Sequence, residues 1–224
     1  MEIHKPKPAH SWREFAIEIA TIITGILLAL GAEQAVEAHH WNKLVAEGRQ
    51  ALKQEVVTQA GNFTYRIVVH PCVELRLSEM EAILADLDAG RRVAPVADFG
   101  RAAGFPNEDN VWRALSASGV LTHLPPQELV AFSALYSRSA DMTTWSLMGG
   151  QDWSMIKLAV GDPNRLTSAD RSQIRVAINH VRALEGAWTS AGQIQIDRAR
   201  KLGVQIAPPP DLSAAAECQP LKRG

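Results

Sequence analysis

Residues 19–32 read IATIITGILLALGA, fourteen residues without a charge. Taken alone that is short for a membrane span, since crossing a hydrocarbon core takes about 20 apolar residues. The segment extends on both sides, however. Phe15-Ala16-Ile17 precedes it and Gln34-Ala35-Val36 follows, with Glu18 and Glu33 interrupting. A helix over 15–38 runs roughly 36 Å at about 1.5 Å per residue, long enough to cross. Residues 15–38 are therefore read as a transmembrane helix and residues 1–14 as a short tail before it.

Trp12 and Trp41 frame this helix. On a continuous helix they lie about 43 Å apart, close to the thickness of a bilayer with its headgroups, and indole rings favour that level. They are expected as interfacial anchors, with the lipid bilayer as the first partner. Glu18 and Glu33 then fall near the two hydrocarbon edges, where a carboxylate can reach water. Ser11-Trp12-Arg13-Glu14 fits a capping box and marks the helix start. Thr21, Gly25 and Ala29 recur every four residues, a small-xxx-small face of the kind that lets two membrane helices approach and pair.

Orientation rests on the flanking charge. Lys5, Lys7 and Arg13 precede the span and Lys43, Arg49 and Lys53 follow it, so a bare count is balanced. Long domains cross membranes largely regardless of their charge, which leaves the short basic tail as the guide. It places the N-terminus in the cytoplasm and exports the rest of the chain. A cleaved signal peptide is the rival reading, with small residues at Ala29, Gly31 and Ala32. Against it, the helical pattern runs past Ala32 and leaves little extended chain for a peptidase.

Outward from the span the pattern remains helical. Trp41, Val45, Gly48, Leu52, Val56, Ala60, Phe63 and Ile67 form one apolar stripe of 3.6-residue period. Pro71 should kink or interrupt the helix. Val73, Leu77, Met80, Leu84 and Leu87 then carry a second stretch that stops near Gly90. Residues 89–109 mix Gly, Pro and charge without periodicity and read as a surface loop. Asp109 is placed to cap a short helix with Val111, Trp112 and Leu115 that ends at Gly119. Pro125-Pro126 opens another helix, which Gly149-Gly150 should divide. Gly161-Asp162-Pro163 is a turn.

The last helix begins at a cap on Thr167 or Ser168. It keeps Ile174, Ile178, Val181, Leu184, Trp188 and Ala191 on one face and stops at Gly203. Arg198, Arg200 and Lys201 in its final turn complement the helix dipole. Residues 204–224 hold Pro208-Pro209-Pro210 and read as an extended tail. The fold class is thus all-α: a transmembrane helix continuing into a long helix, then an irregular antiparallel helical bundle over 39–203.

Composition narrows the chemistry. The chain is 46% hydrophobic and 21% charged with a formal net charge of −1. It offers no basic face for nucleic acid. Cys72 and Cys218 are too few for a disulfide scaffold or a thiolate zinc site, but in an oxidising compartment they can pair with each other. Such a bridge closes a long loop, worth about 4–5 kcal/mol by chain entropy.

Other motifs fall short of a catalytic, metal or cofactor site. Glu37-Ala38-His39-His40 contains the Glu-x-x-His spacing of di-iron bundles, but no second copy follows, so these are read as polar residues at the membrane edge. His70 beside Cys72 is too sparse for a metal. There is no Gly-x-Ser-x-Gly, His-Glu-x-x-His or phosphate-binding loop. Ser116-Ala117-Ser118-Gly119 reads as a helix end, and His123 and His180 stand alone. Trp112, Trp145, Trp153 and Trp188 read as core anchors.

The N-terminal stretch carries a resemblance. Lys5-Pro6-Lys7-Pro8, Trp12-Arg13-Glu14-Phe15, Glu18-Ile19, the run Ala29-Leu30-Gly31-Ala32-Glu33-Gln34-Ala35-Val36-Glu37 and His40-Trp41 resemble an uncharacterised family of bacterial single-pass membrane proteins with an exported helical domain. The likeness is specific over roughly the first forty residues and looser in the Cys72 region, the Trp112-to-Gly119 segment and the final helix. It implies a bacterial inner-membrane protein with its C-terminal domain in the periplasm, and no chemistry. The expected role is a non-enzymatic interaction or accessory protein of the cell envelope, as a homodimer or with an envelope-complex partner. A periplasmic small-ligand sensor or binding module is the alternative, and an enzyme comes last.

Overall fold

The computed structural model describes residues 11–98, 109–209, 211–212 and 218–221. Four α-helices account for most of them: α1 (Trp12–Asp88), α2 (Asn110–Ala117), α3 (Pro126–Ile156) and α4 (Ser168–Lys201). Short 3-10 turns at Val120–His123, Lys157–Ala159 and Pro163–Arg165 link them. No strand forms among the described residues, so the chain is all-α, as its periodicity predicts. It divides into two compact units, residues 1–48 and 49–224.

The first unit is the start of α1. Ser11 Oγ accepts the Glu14 N–H at 3.3 Å, in keeping with the capping box. Over residues 19–32 the helix carries no charge on any side, and none of its eighteen most apolar consecutive residues is buried. By length and composition it can cross a membrane. Two of its polar side chains suit that use. The hydroxyls of Thr21 and Thr24 donate to the carbonyls of Ile17 and Ala20 at 2.8 and 2.7 Å, so neither needs water.

The second unit packs the rest of α1 against α3 and α4. Leu52, Val56, Ala60 and Phe63 of the predicted stripe are buried, as are Val73, Leu77, Met80 and Leu84. Pro71 does not interrupt α1, contrary to expectation. Its ring sits on the exposed face of the helix. Val69 and Val73 on either side are buried, and that packing outweighs the local cost. Gly149-Gly150 does not divide α3 either. Gly149 lies against α4, where a Cβ would meet Leu184 Cδ1 at an ordinary contact distance of 3.7 Å.

Cross-helix bonds fix the directions. Arg49, Glu55 and Gln59 of α1 meet Glu128, Tyr136 and Ser139 of α3 in rising order, so these two segments run the same way. α4 runs antiparallel to both: its Arg175, Arg182 and Glu185 meet Asp88, Glu74 and Arg66, and Gln195 reaches the Leu135 carbonyl. The shared direction of α1 and α3 follows from the long connection over 89–125. To begin α3 beside Arg49, the chain must return about 58 Å, the length of 49–88 as a helix.

Helix ends follow the residues expected of them. Thr167 caps α4 with a complete capping box to Asp170. Gly90 and Gly203 take positive φ just past α1 and α4. At Gly203, bonds from its own N–H to Arg200 and from Val204 N–H to Ala199 close a Schellman motif. Asp109 is different. It precedes α2 but makes no side-chain cap, pairing with Arg113 at 3.1 Å.

The predicted surface loop at 89–109 is pinned where it is described. Val93 and Val96 are buried. Val96 exchanges two backbone bonds with Gly161, and Asn164 holds the backbone of Val93. The remainder of that loop, at 99–108, and tail residues 210, 213–217 and 222–224 lie outside the described residues.

Candidate functional site

The predicted site residues fall in two places. Thr21, Gly25 and Ala29 are all exposed on α1, four residues apart. Trp12 and Trp41 bracket the apolar segment of the same helix. Glu37, His39 and His40 are exposed there too, and Glu37 accepts the Trp41 indole N–H at 3.4 Å. Among the described residues no group of three His, Cys, Asp or Glu side chains is placed to hold a metal ion.

In the second unit, Cys72 and Cys218 form a disulfide. The bridge is the first of three ties between α1 and the C-terminal segment. Arg76, buried on the next turn, donates to the Gln219 carbonyl at 2.7 Å and to Glu79 at 2.8 Å. Glu79 in turn accepts the Leu221 N–H at 3.0 Å, and Leu221 enters the core. Cys218, Gln219 and Leu221 thus return to α1; the pairing of the cysteines is expected from the sequence, the other two ties are not.

The lone histidines stay apart. His123 is exposed at the end of the turn before α3. His180 of α4 pairs with Asp152 of α3 at 2.8 Å. Ser118 closes α2 through the Leu115 carbonyl at 3.2 Å, a helix end as predicted. Trp153 and Trp188 are core residues, whereas Trp112 stacks on Tyr136 with ring centroids 4.8 Å apart.

Two buried polar clusters went unnoticed in the sequence. The first centres on Glu55. Its carboxylate accepts the N–H groups of Val111 and Trp112 at 2.9 and 3.3 Å and the Tyr136 hydroxyl at 2.5 Å. A glutamate 55 residues before the start of α2 therefore caps it in place of Asp109, satisfying orphan donors and facing the positive end of the helix. Burial and the Glu55 carboxylate push the Tyr136 phenol far above its ordinary range, so it stays a donor.

The second cluster joins α1 to α4. Glu185, 1% exposed, pairs through Oε1 with Arg66, whose guanidinium also lies over the Trp188 ring, 5.6 Å from its centroid. His70 Nδ1 stands 4.0 Å from Glu185 Oε2. A cavity of about 20 Å³ opens beside them, lined by Trp145, Ser146, Gly149 and Gly150 among others. That is room for about one water and far below the roughly 300–1,000 Å³ of a ligand pocket. The sequence did hold a signal. Glu185 follows Val181 by four residues and precedes Trp188 by three, which is the inward register, while Leu184 lies beside it and is only half-buried.

Set against known proteins, the chain matches no family model, no curated protein and no solved structure.

Proposed function

We propose that this is a single-pass protein of the bacterial inner membrane, with residues 15–38 as the span, the N-terminus in the cytoplasm and the helical domain in the periplasm. It acts by interaction and not by catalysis, as a homodimer or as an accessory subunit of an envelope complex. The observation that carries this reading is the start of α1, a helix apolar on every side and exposed along its whole apolar length. Such a surface calls for an apolar surrounding. The Cys72–Cys218 bridge supports the periplasmic side, because disulfides persist in oxidising compartments. The Thr21, Gly25 and Ala29 face supports pairing of spans, since small residues four apart on an exposed helix let a second helix approach closely.

Protease added to intact spheroplasts tests the topology. Digestion of the helical domain is expected; a domain that survives until lysis would be cytoplasmic and would end this reading. A single cysteine placed at Gly25, with Cys72 and Cys218 replaced by serine, should crosslink to dimers in membranes under mild oxidant. Monomer alone would leave the accessory role without the homodimer.

A shallow groove favours the second reading, a periplasmic ligand-binding module. It measures about 420 Å³ between α3 and α4, with Met155, Val176 and Ala177 among its lining. Saturable binding of an apolar small molecule, abolished by Val176→Asp, would move the conclusion to that reading.

A further inference from the structure

The two buried glutamates are treated differently by the fold. Glu55 has both oxygens occupied by donors. Glu185 has not: Oε1 faces Arg66, while Oε2 is buried with no hydrogen-bond donor. His70 Nδ1, 4.0 Å away, is buried without a hydrogen bond as well. An ionised carboxylate is acceptor-only and needs donors on both oxygens, and leaving one bare in a dry interior is costly. A neutral carboxyl has less to satisfy.

The charged surroundings come from α1 and α4. Arg66, His70 and Glu74 face Glu185 from α1. On α4 itself Arg182 is one turn away, bonded to Glu74 and Glu81. From α3 the cavity is lined by Trp145, Ser146, Gly149, Gly150 and Trp153, which carry no charge. Burial is the largest influence on Glu185 and opposes ionisation; Arg66 works against it, and Glu74 adds to it. Together they push the carboxyl up to about 7.

We propose that Glu185 is a buried proton-binding site, and that the proton it takes up neutralises the partner of Arg66 in the ion pair that joins α1 to α4. The cavity beside Gly149 gives the carboxyl room for one water and so a route for proton exchange. Trp188, whose indole N–H is buried without a hydrogen bond, lines the same space and can donate to that water. The ligand is a proton, and the elements it acts between are α1 and α4.

The sign is opposite to that of an ordinary salt-bridged carboxylate. Folding raises the Glu185 value from 4.5 to about 7, so its contribution to stability is complete below the unfolded value and is lost as pH rises through about 7.

The test is thermal unfolding of the full-length protein in detergent at pH values from about 5 to 8.5, for the wild type and Glu185→Gln. The wild type should lose roughly 5–10 °C of melting temperature across that window. Glu185→Gln, a permanently neutral carboxyl mimic, should lose less by that amount. Parallel profiles overturn the proposal. Infrared pH-difference spectra of the wild type serve if the variant does not fold. A protonated carboxyl band present near pH 5.5 and gone by about pH 8.5 is expected, and its absence at the lower pH refutes the site.

Discussion

Leu28 and Leu77 belong to one helix, yet Leu28 is 69% exposed and Leu77 is 0% exposed. The same residue type sits in two settings, one exposed and one in the core. Around Leu28 every face of α1 is apolar, with Ile22, Ile23, Ile26, Leu27 and Leu30 exposed together. Around Leu77 the buried apolar residues Val73, Leu77, Met80 and Leu84 form one stripe, and the other faces carry Glu74, Ser78, Glu79 and Glu81, with Leu75 exposed among them. An all-round apolar helix has no inside to turn towards and needs an apolar medium. A striped one needs a partner on one side only, here α3, α4 and the C-terminal segment. Periodicity, more than hydrophobicity, separates the two uses.

The contrast can be broken at either end. The largest effect is expected in the first segment. Ile26→Arg with Leu27→Arg places two charges mid-span at roughly 3 kcal/mol each, enough to move the protein from the membrane pellet to the soluble or degraded fraction. The folded domain should be untouched by it. Retention in alkali-washed membranes would mean that this segment is not the anchor.

Next comes the bridge. Cys72→Ser with Cys218→Ser should cost the domain about 4–5 kcal/mol in urea unfolding, because the bond joins residues 146 apart in sequence. Membrane retention should not change.

A matched pair sharpens the comparison itself. Leu77→Ala should destabilise the domain by about 2–5 kcal/mol, whereas Leu28→Ala should leave its unfolding curve where it was. Equal effects would mean that the first segment packs inside the protein after all. The smallest expected change is at the start of α4. Thr167→Ala removes a capping box whose Oγ accepts the Asp170 N–H at 3.1 Å, for a loss of about 1 kcal/mol.

The same contrast explains what could be read in the residues. The long helix, its stripe from Leu52 to Leu84, the Thr167 cap and the stops at Gly90, Gly119 and Gly203 are local signals, written within a few turns of where they act. Pro71 and Gly149-Gly150 misled because they too are local, and tertiary packing overrode them. Pro71 lies on the exposed face of a helix otherwise held by buried valines, and Gly149 lies in a helix that packs along α4 at Leu184. Val93 and Val96 look like loop residues until Asn164 and Gly161 hold them from 71 and 65 positions away.

The polar clusters were hardest to see. Glu55 caps a helix whose first residue is Asn110, and only the fold brings them together. Glu185 was legible in principle, since its register between Val181 and Trp188 points inward. The neighbouring Leu184 drew the apolar face one position away.

In the proposed function, the exposed apolar start of α1 is a retained membrane anchor leading into a bridged, exported domain. The most direct test is the intact mass of the protein taken from alkali-washed native membranes and alkylated without reduction. A mass near 24.4 kDa with neither cysteine modified is expected. A mass shortened to a cut near Ala32, or two alkylated cysteines on a full-length chain, would contradict it.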